Sequence, residues 1–101
     1  MLFLDEGSRT GPVIVFVHGI PGSVVWFAGV AERLAGDYRV IRVDVRDLGA
    51  ESGDFTAAAR TAPILALFDE LDLSQVTVVG HSFGAEIALE LAAVSPRGPA
   101  A

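Results

Sequence analysis

Residues 76–89 read VTVVGHSFGAEIAL, and this stretch organises the chain. A short β-branched run leads into GHSFG at 80–84, and an alanine-rich helical pattern follows at once. Strand, sharp turn and helix in that order form the context that a G-x-S-x-G nucleophile turn requires. The serine of such a turn sits on a strained backbone, and side chains at Gly80 or Gly84 would collide with the neighbouring strand and helix. Ser82 is therefore predicted where helical N–H groups favour a developing negative charge. The same residues also fit a plain tight turn whose serine caps a helix.

Length, composition and charge narrow the class of protein. A chain of 101 residues allows one small domain with a thin core. The net charge is −6 and the seven basic residues are scattered arginines, so no nucleic-acid partner is expected. The longest apolar strand-like run, Val13–Val17, is far shorter than the ~20 residues of a membrane span, so no membrane partner is expected either. The absence of cysteine and of a signal-peptide pattern suits the cytoplasm. Two histidines without cysteine predict no metal site, and no cofactor is expected.

Strand and helix patterns alternate along the chain. Four strands are predicted, at 1–4, 38–43, 76–79 and the buried run 13–17. A turn at 5–8 is expected to close the first of them. Helices are predicted from the cap Ser23 to Gly36, from Thr56 to Leu71, and over 85–94, where the run 95–99 ends the last one. Pro63 should limit or kink the second helix. The first helix is expected to bury Trp26, Phe27, Val30, Ala31 and Leu34. The second helix is expected to bury Ala59, Ile64, Leu67, Phe68 and Leu71.

Strand–helix units in series predict an α/β fold, a parallel sheet with helices on both faces and right-handed crossovers. In such sheets, ligands bind at the carboxyl ends of the strands. Three features fall at those ends, namely the dipeptide His18-Gly19, Asp44 and Ser82. The polar residues therefore converge on one edge of the sheet, which indicates a site there.

Three motifs in this order, HGIPG at 18–22, DVR at 44–46 and GHSFG at 80–84, resemble the α/β-hydrolase superfamily, most closely its esterase-like group. The resemblance covers roughly Leu2 to Pro96. It implies that Ser82 is the nucleophile and that the backbone N–H groups of Phe83 and Ile20 form the oxyanion hole. It also implies that the site is shaped by His18, Gly19, Gly80, His81 and Gly84. A serine at the elbow argues against dehalogenase and epoxide-hydrolase relatives, which place an aspartate there.

The chain departs from the family pattern after the serine. In this family the acid and the general-base histidine follow the nucleophile in chain order. Beyond Ser82 the chain has only the acids Glu86 and Glu90 and no histidine. His81 is badly oriented to replace the base, and His18 is expected to brace its loop instead. The sequence RDLG at 46–49 also stands where the family usually has R-G-H-G.

These departures predict that residues 1–101 are the amino-terminal portion of a single α/β-hydrolase domain, truncated before later strands. The resemblance then implies a serine hydrolase acting on a carboxylic ester or related small acyl compound, with the chain inactive alone. The alternative is a non-catalytic remnant or binding module that keeps the hydrolase scaffold. The strand beginning at Val76 would have an open edge, which favours self-association.

Five other residues at the predicted site also need an interpretation. Asp44, at a strand end, could be catalytic, but it is expected to hold the following loop by accepting N–H bonds. Arg46 is expected to form a salt bridge or to support that loop. Trp26 and Phe27 could line an acyl pocket or pack in the core. Glu86 is expected only to complement the helix dipole.

Overall fold

Strands and helices alternate in the computed structural model, which describes residues 1–50 and 52–94. The strands are β1 (Phe3–Gly7), β2 (Val13–Val17), β3 (Arg39–Val43) and β4 (Thr77–Gly80). A 3-10 turn, Val24–Phe27, precedes the helices α1 (Ala28–Leu34), α2 (Ala57–Glu70) and α3 (Phe83–Val94). The predicted run that ends the last helix, 95–99, lies outside the described residues.

The strands form one sheet in the order β1-β3-β2-β4. β2 pairs in parallel with both β3 and β4, as predicted for an α/β fold. β1 differs, because it pairs antiparallel with β3, with Phe3 opposite Val43. Only residues 8–12 connect β1 to β2, and a parallel arrangement needs a crossover of about a dozen residues or more. The sheet is therefore mostly parallel with one antiparallel edge strand.

The predicted turn at 5–8 is wrong for most of its length, since β1 continues to Gly7. Two acidic residues that look like turn residues in the sequence form ion pairs across the strands. Asp5 accepts two hydrogen bonds from Arg39, at 3.0 and 2.7 Å, and Glu6 accepts one from Arg42 at 2.7 Å. These partners lie more than thirty positions away along the chain, so no local sequence pattern predicts the two ion pairs.

Replacing Asp5 with asparagine should lower the free energy of unfolding by about 1–2 kcal/mol near neutral pH. The hydrogen bonds from Arg39 hold the pKa of the Asp5 carboxyl below its ordinary value, with burial acting against them and Arg9 adding to them. Because the folded pKa is the lower one, this stabilisation is complete above the unfolded pKa of about 3.9 and is lost as the pH falls through the folded pKa.

Urea unfolding of both proteins at neutral and acidic pH measures this effect. The difference between wild type and Asp5→Asn should shrink in acid. Asp37→Asn is the matched control, because Asp37 is exposed and forms no ion pair within the described part of the chain. A difference that stays constant down to the acid unfolding transition would contradict the assigned role of the Asp5 carboxylate.

Helices cover both faces of the sheet, as predicted. On one face, alternate residues of β2 and β3 pack against α2 and α3. The buried residues of this cluster include Val15, Val17, Ile41, Val43, Ile64, Leu67, Phe68, Ile87 and Leu91. On the other face, a smaller cluster of Phe16, Ala31 and Val40 packs with Ile14, Phe27, Leu34 and Tyr38. The period of two along each strand thus divides the core into two layers.

The first predicted helix is two elements, because the 3-10 turn precedes α1. Ser23 caps the 3-10 turn, where its hydroxyl accepts the Val25 N–H at 3.2 Å. The predicted inner face is partly wrong, since Trp26 and Val30 are 59% and 49% exposed. A tighter first segment rotates the later side chains relative to a continuous α-helix.

The second helix begins and ends within one residue of its predicted bounds, and Thr56 caps it by accepting the Ala59 N–H at 3.2 Å. Pro63 does not end the helix, because α2 runs without interruption from Ala57 to Glu70, and the predicted kink there stays a prediction. Proline removes one helical hydrogen bond, but packing of the buried inner face against the sheet outweighs that loss. Arg60 and Thr61 lie among the buried residues of this face, whereas Ala59 and Leu71 are half-buried.

β4 is an edge of the sheet formed by residues 1–50 and 52–94. Val79 on this strand is 38% exposed, and Leu89 on the neighbouring helix is 72% exposed. The open edge predicted from the sequence is thus present in the described residues, and self-association through it stays a prediction. None of the described helices is long and apolar enough to cross a bilayer.

Candidate active site

Ser82 lies in the turn between the end of β4 and the start of α3, with a backbone φ of 57°. This left-handed conformation is strained for a residue with a side chain. Two backbone bonds of 2.9 Å close the turn, from Gly84 N–H to the His81 carbonyl and from Ala85 N–H to the Ser82 carbonyl. The strained serine predicted from the sequence is present, and its side chain is exposed at the carboxyl edge of the sheet.

The two glycines of the motif are required by close backbone contacts. A Cβ at Gly80 would lie 2.7 Å from the Cα of Ala85, and it would also meet the carbonyl of Gly84. A Cβ at Gly84 would lie 2.7 Å from the His18 carbonyl oxygen and would meet the carbonyl of Val17. The turn is therefore pressed against the end of β2, as the sequence predicts.

His18 braces the loop that follows β2, and its side chain is 1% exposed. Its Nε2 accepts the Val45 N–H at 3.0 Å, so the ring proton resides on Nδ1, which donates to the Gly19 carbonyl at 2.7 Å. Asp44 Oδ1 lies 3.4 Å from the same Nε2, and the shorter contact with Val45 determines the tautomer. The prediction of a bracing histidine is confirmed, and neither ring nitrogen is free to take a proton from Ser82.

The Gly19–Ile20 loop passes directly against the serine turn. A Cβ at Gly19 would lie 3.0 Å from Ser82 Cβ and 2.9 Å from the His81 carbonyl oxygen. Ile20 is 45% exposed, and the Ile20–Pro21 peptide bond is cis. The structure therefore brings together the backbone segments of both residues to which the sequence assigns an oxyanion donor, Ile20 and Phe83.

The ring of His81 stacks on Trp26, with ring centroids 5.4 Å apart and an interplanar angle of 30°. No hydrogen bond within residues 1–50 and 52–94 joins this ring to the Ser82 hydroxyl. Phe27 points the other way and packs on Phe16 at 4.8 Å between centroids. Of the two aromatic residues with open interpretations, Phe27 belongs to the core and Trp26 lies beside the site.

Asp44 holds the loop after β3, as predicted. Its carboxylate accepts the Arg46 N–H at 3.0 Å and pairs with the Arg46 guanidinium at 2.6 Å. Burial opposes ionisation of this carboxyl, but the hydrogen bonds from Arg46 outweigh that effect and leave the pKa of Asp44 below its ordinary value. Asp44 is therefore an ionised loop anchor near neutral pH.

Arg60 is the residue of this region that sequence reasoning missed. It is 4% exposed on α2, and its Nη1 donates to the Val45 carbonyl at 2.8 Å. Its guanidinium carbon lies 5.1 Å from the ring centroid of Phe83 and 5.4 Å from that of Phe55. The available signal was its position, four residues before Ile64 on the buried stripe of the helix.

Glu86 lies exposed in the first turn of α3, where its charge suits the helix dipole.

A separate cavity of about 610 Å³ lies between the loop after β3 and α2. Its lining includes Asp44, Arg46, Leu48 and Pro63 but not Ser82. Among the described residues, no group of three or more histidine, aspartate or glutamate side chains is placed to hold a metal ion. The chemistry that the described site offers is that of the serine hydroxyl and the surrounding backbone N–H groups.

A family model described as alpha/beta hydrolase fold matches residues 12–98. The sn-1-specific diacylglycerol lipase ABHD11 of Xenopus tropicalis is 30% identical, over 93% of this chain and 31% of that protein. A Haemophilus influenzae protein provisionally assigned as an esterase/lipase is 29% identical, over 85% of this chain and 31% of its own length. The chain thus spans about a third of the length of these curated relatives.

A solved structure of similar fold comes from Pseudomonas aeruginosa and is provisionally assigned as an epoxide hydrolase. It superposes with a TM-score of 0.83 at 30% identity, over 95% of this chain and 34% of that chain. This likeness runs against the expectation that the elbow serine would separate the chain from epoxide-hydrolase relatives. One fold supports several chemistries, so relatives of this kind share the scaffold whatever residue occupies the elbow.

Proposed function

Because the chain belongs to the alpha/beta hydrolase fold family, we propose that it supplies the nucleophile and the oxyanion donors of a serine hydrolase. The observation that carries this proposal is the strained backbone of Ser82, with φ of 57°, between two glycines in backbone contact with β2 and α3. A strained residue persists only where its surroundings enforce it, and such residues concentrate at active sites. The proposed substrate is a carboxylic ester or related small acyl compound.

In the proposed reaction, Ser82 Oγ attacks the carbonyl carbon of the ester. The carbonyl electron pair moves onto oxygen, and the resulting oxyanion accepts hydrogen bonds from the backbone N–H groups of Phe83 and Ile20. Loss of one such donor typically lowers the rate by about 10²–10³-fold. Collapse of the tetrahedral intermediate expels the alcohol and leaves an acyl-serine, which water then hydrolyses.

The proton of the Ser82 hydroxyl needs an acceptor. His18 has both ring nitrogens engaged, and His81 stacks on Trp26. We therefore place the general-base histidine and its acid on residues outside this sequence. Relatives about three times as long as this chain, and the family's order of nucleophile, acid and histidine, support that placement.

The alternative is a scaffold that keeps the hydrolase fold without catalysis. One observation favours it for this chain alone, namely that neither of its two histidines is placed to activate Ser82. A serine hydroxyl without a base is a poor nucleophile near neutral pH. The relatives with lipase and esterase names favour catalysis for the longer protein.

Labelling with a fluorophosphonate probe tests both proposals, because the probe reacts with activated serines. We expect mass spectrometry to find the adduct on Ser82 in a longer form of the protein that carries the proposed histidine and acid. In the chain of 101 residues the labelling should be slower by about 100-fold or more, since general-base catalysis contributes about 10²–10⁴-fold.

Either of two outcomes would change the assignment. Rapid labelling of Ser82 in the short chain would mean that a base is present within this sequence. No labelling in the longer form would support the non-catalytic scaffold.

A further inference from the structure

We propose that Arg60 is a positioning residue for the oxyanion site, because its side chain connects the two backbone segments that carry Phe83 and Ile20. This inference rests on the proposed function, which assigns the oxyanion donors to those two residues. Arg60 lies on α2, 4% exposed, and touches no group to which the proposed reaction gives a covalent role. It would act through the residues that it holds.

The first connection runs from Arg60 to the serine turn. The guanidinium lies over the ring of Phe83, 5.1 Å from its centroid, and over the ring of Phe55 at 5.4 Å. A cation over an aromatic face is attracted by the ring quadrupole, and more strongly where water is excluded. Phe83 is the first residue of α3 and directly follows Ser82. Holding its ring restricts the orientation of its backbone N–H.

The second connection runs from Arg60 to the loop after β2. Its Nη1 donates to the Val45 carbonyl at 2.8 Å, and the Val45 N–H donates to His18 Nε2 at 3.0 Å. His18 Nδ1 in turn donates to the Gly19 carbonyl at 2.7 Å. That carbonyl and the Ile20 N–H belong to one planar peptide unit, so fixing the direction of the first fixes the second. The Val45 carbonyl and the Val45 N–H belong to different peptide units, so Arg60 acts on this series by fixing the position of Val45.

The burial of Arg60 is unfavourable by itself. Its Nε is buried without a hydrogen-bond partner, and Arg60 forms no ion pair in the part of the chain that the structure describes. An unpaired buried donor and an uncompensated buried charge both destabilise a fold. Leucine or methionine would fill similar space without that loss. A guanidinium here is therefore better explained by the groups that it connects than by core stability.

Nuclear magnetic resonance of the labelled chain tests the connection independently of catalysis. Arg60→Met removes the cation and the donor at similar volume, and Arg60→Lys keeps both without the planar guanidinium. We expect Arg60→Met to shift and broaden the amide signals of Phe83, Val45 and Ile20 while the signals of distant strand residues such as Val40 stay in place. Arg60→Lys should change the same three signals by a smaller amount. If Arg60→Met fails to fold, the changes at these signals in Arg60→Lys decide the test.

Phe55→Leu is the matched control, because it removes the other ring from the same guanidinium. It should leave the Ile20 signal unchanged, since Phe55 does not belong to the connection between Phe83 and Ile20. Unchanged Phe83 and Ile20 signals in folded Arg60→Met would overturn the proposal. A uniform shift across the whole sheet would also overturn it, because that result describes a purely structural residue.

The longer hydrolase provides a second readout. Arg60→Met should lower kcat for an ester by about tenfold with KM unchanged, because misplaced oxyanion donors affect the transition state and not ground-state binding. A thionoester, whose sulfur is a weak hydrogen-bond acceptor, should lose much less. An equal loss with both substrates would overturn the proposal. Failure of the proposed function appears separately, as absence of Ser82 labelling in the wild type, and leaves the NMR result interpretable.

Discussion

In the longer serine hydrolase that we propose, replacing Ser82 with alanine should lower ester hydrolysis by about 10⁴-fold or more, without loss of the fold. Removing the nucleophile of a serine hydrolase leaves only the catalysis that the oxyanion donors and substrate binding supply, and losses of this size follow. The wild-type residue already has a φ of 57°, so alanine inherits the same strain and adds little of its own. Hydrolysis of a p-nitrophenyl ester, together with a thermal melt, measures both quantities.

Two variants separate the hydroxyl chemistry from other effects. Ser74→Ala removes an exposed hydroxyl from the connection between α2 and β4 and should leave the activity unchanged. Ser82→Gly should be as inactive as Ser82→Ala but more stable than it by about 1 kcal/mol, because glycine adopts a positive φ without strain. Appreciable hydrolysis by either Ser82 variant would mean that another group is the nucleophile.

The expected difference in stability between Ser82→Gly and Ser82→Ala reflects a conflict between function and stability at this position. Serine occupies a position where glycine would fit the backbone better, which favours a role for the hydroxyl over a purely structural turn. The plain alternative of a helix-capping serine gives no reason for that choice, because a capping serine has an extended backbone and not a left-handed one. The observed φ of Ser82 therefore weighs against the capping interpretation.

The parts of the fold that could be predicted from sequence are those determined by local chemistry. β2 has the predicted bounds, because Val13–Val17 is apolar on both faces. The second helix is bounded within one residue, since Thr56 is an effective cap. The serine turn could be located because Gly80 and Gly84 are each explained by a backbone contact that no other residue tolerates.

The parts that could not be predicted depend on partners distant in the chain. The length and direction of β1 follow from ion pairs with β3 and from the short connection to β2. Trp26 and Phe27 are adjacent and chemically alike, and only the division into a 3-10 turn and α1 sends one to the site and the other to the core. Arg60 has the sequence appearance of a solvated helix residue, yet it is buried and contacts the loop after β3 and the first residue of α3.

Replacing Gly84 with alanine should destabilise the protein by about 3 kcal/mol or more, although alanine is the better helix former. Gly84 is the second residue of α3 and is buried, and a Cβ there would meet the carbonyl of Val17 and lie 2.7 Å from that of His18. Both obstacles are backbone atoms at the end of the central strand, which cannot move aside as a flexible side chain can. The helix must therefore retreat from the sheet, or the turn that carries Ser82 must distort.

Gly29→Ala is the matched control, because Gly29 is also a helical glycine, in α1, and a Cβ at this position would meet no described atom within 4 Å. There the same substitution should stabilise the protein by about 0.5–1 kcal/mol, through helix propensity and a less flexible unfolded chain. Urea unfolding should thus show that the same change from glycine to alanine lowers the free energy of unfolding at position 84 and raises it at position 29. Equal and small effects at both positions would show that α3 does not pack as closely on β2 as the Gly84 contacts require, and the tight turn that strains Ser82 would lose its physical basis.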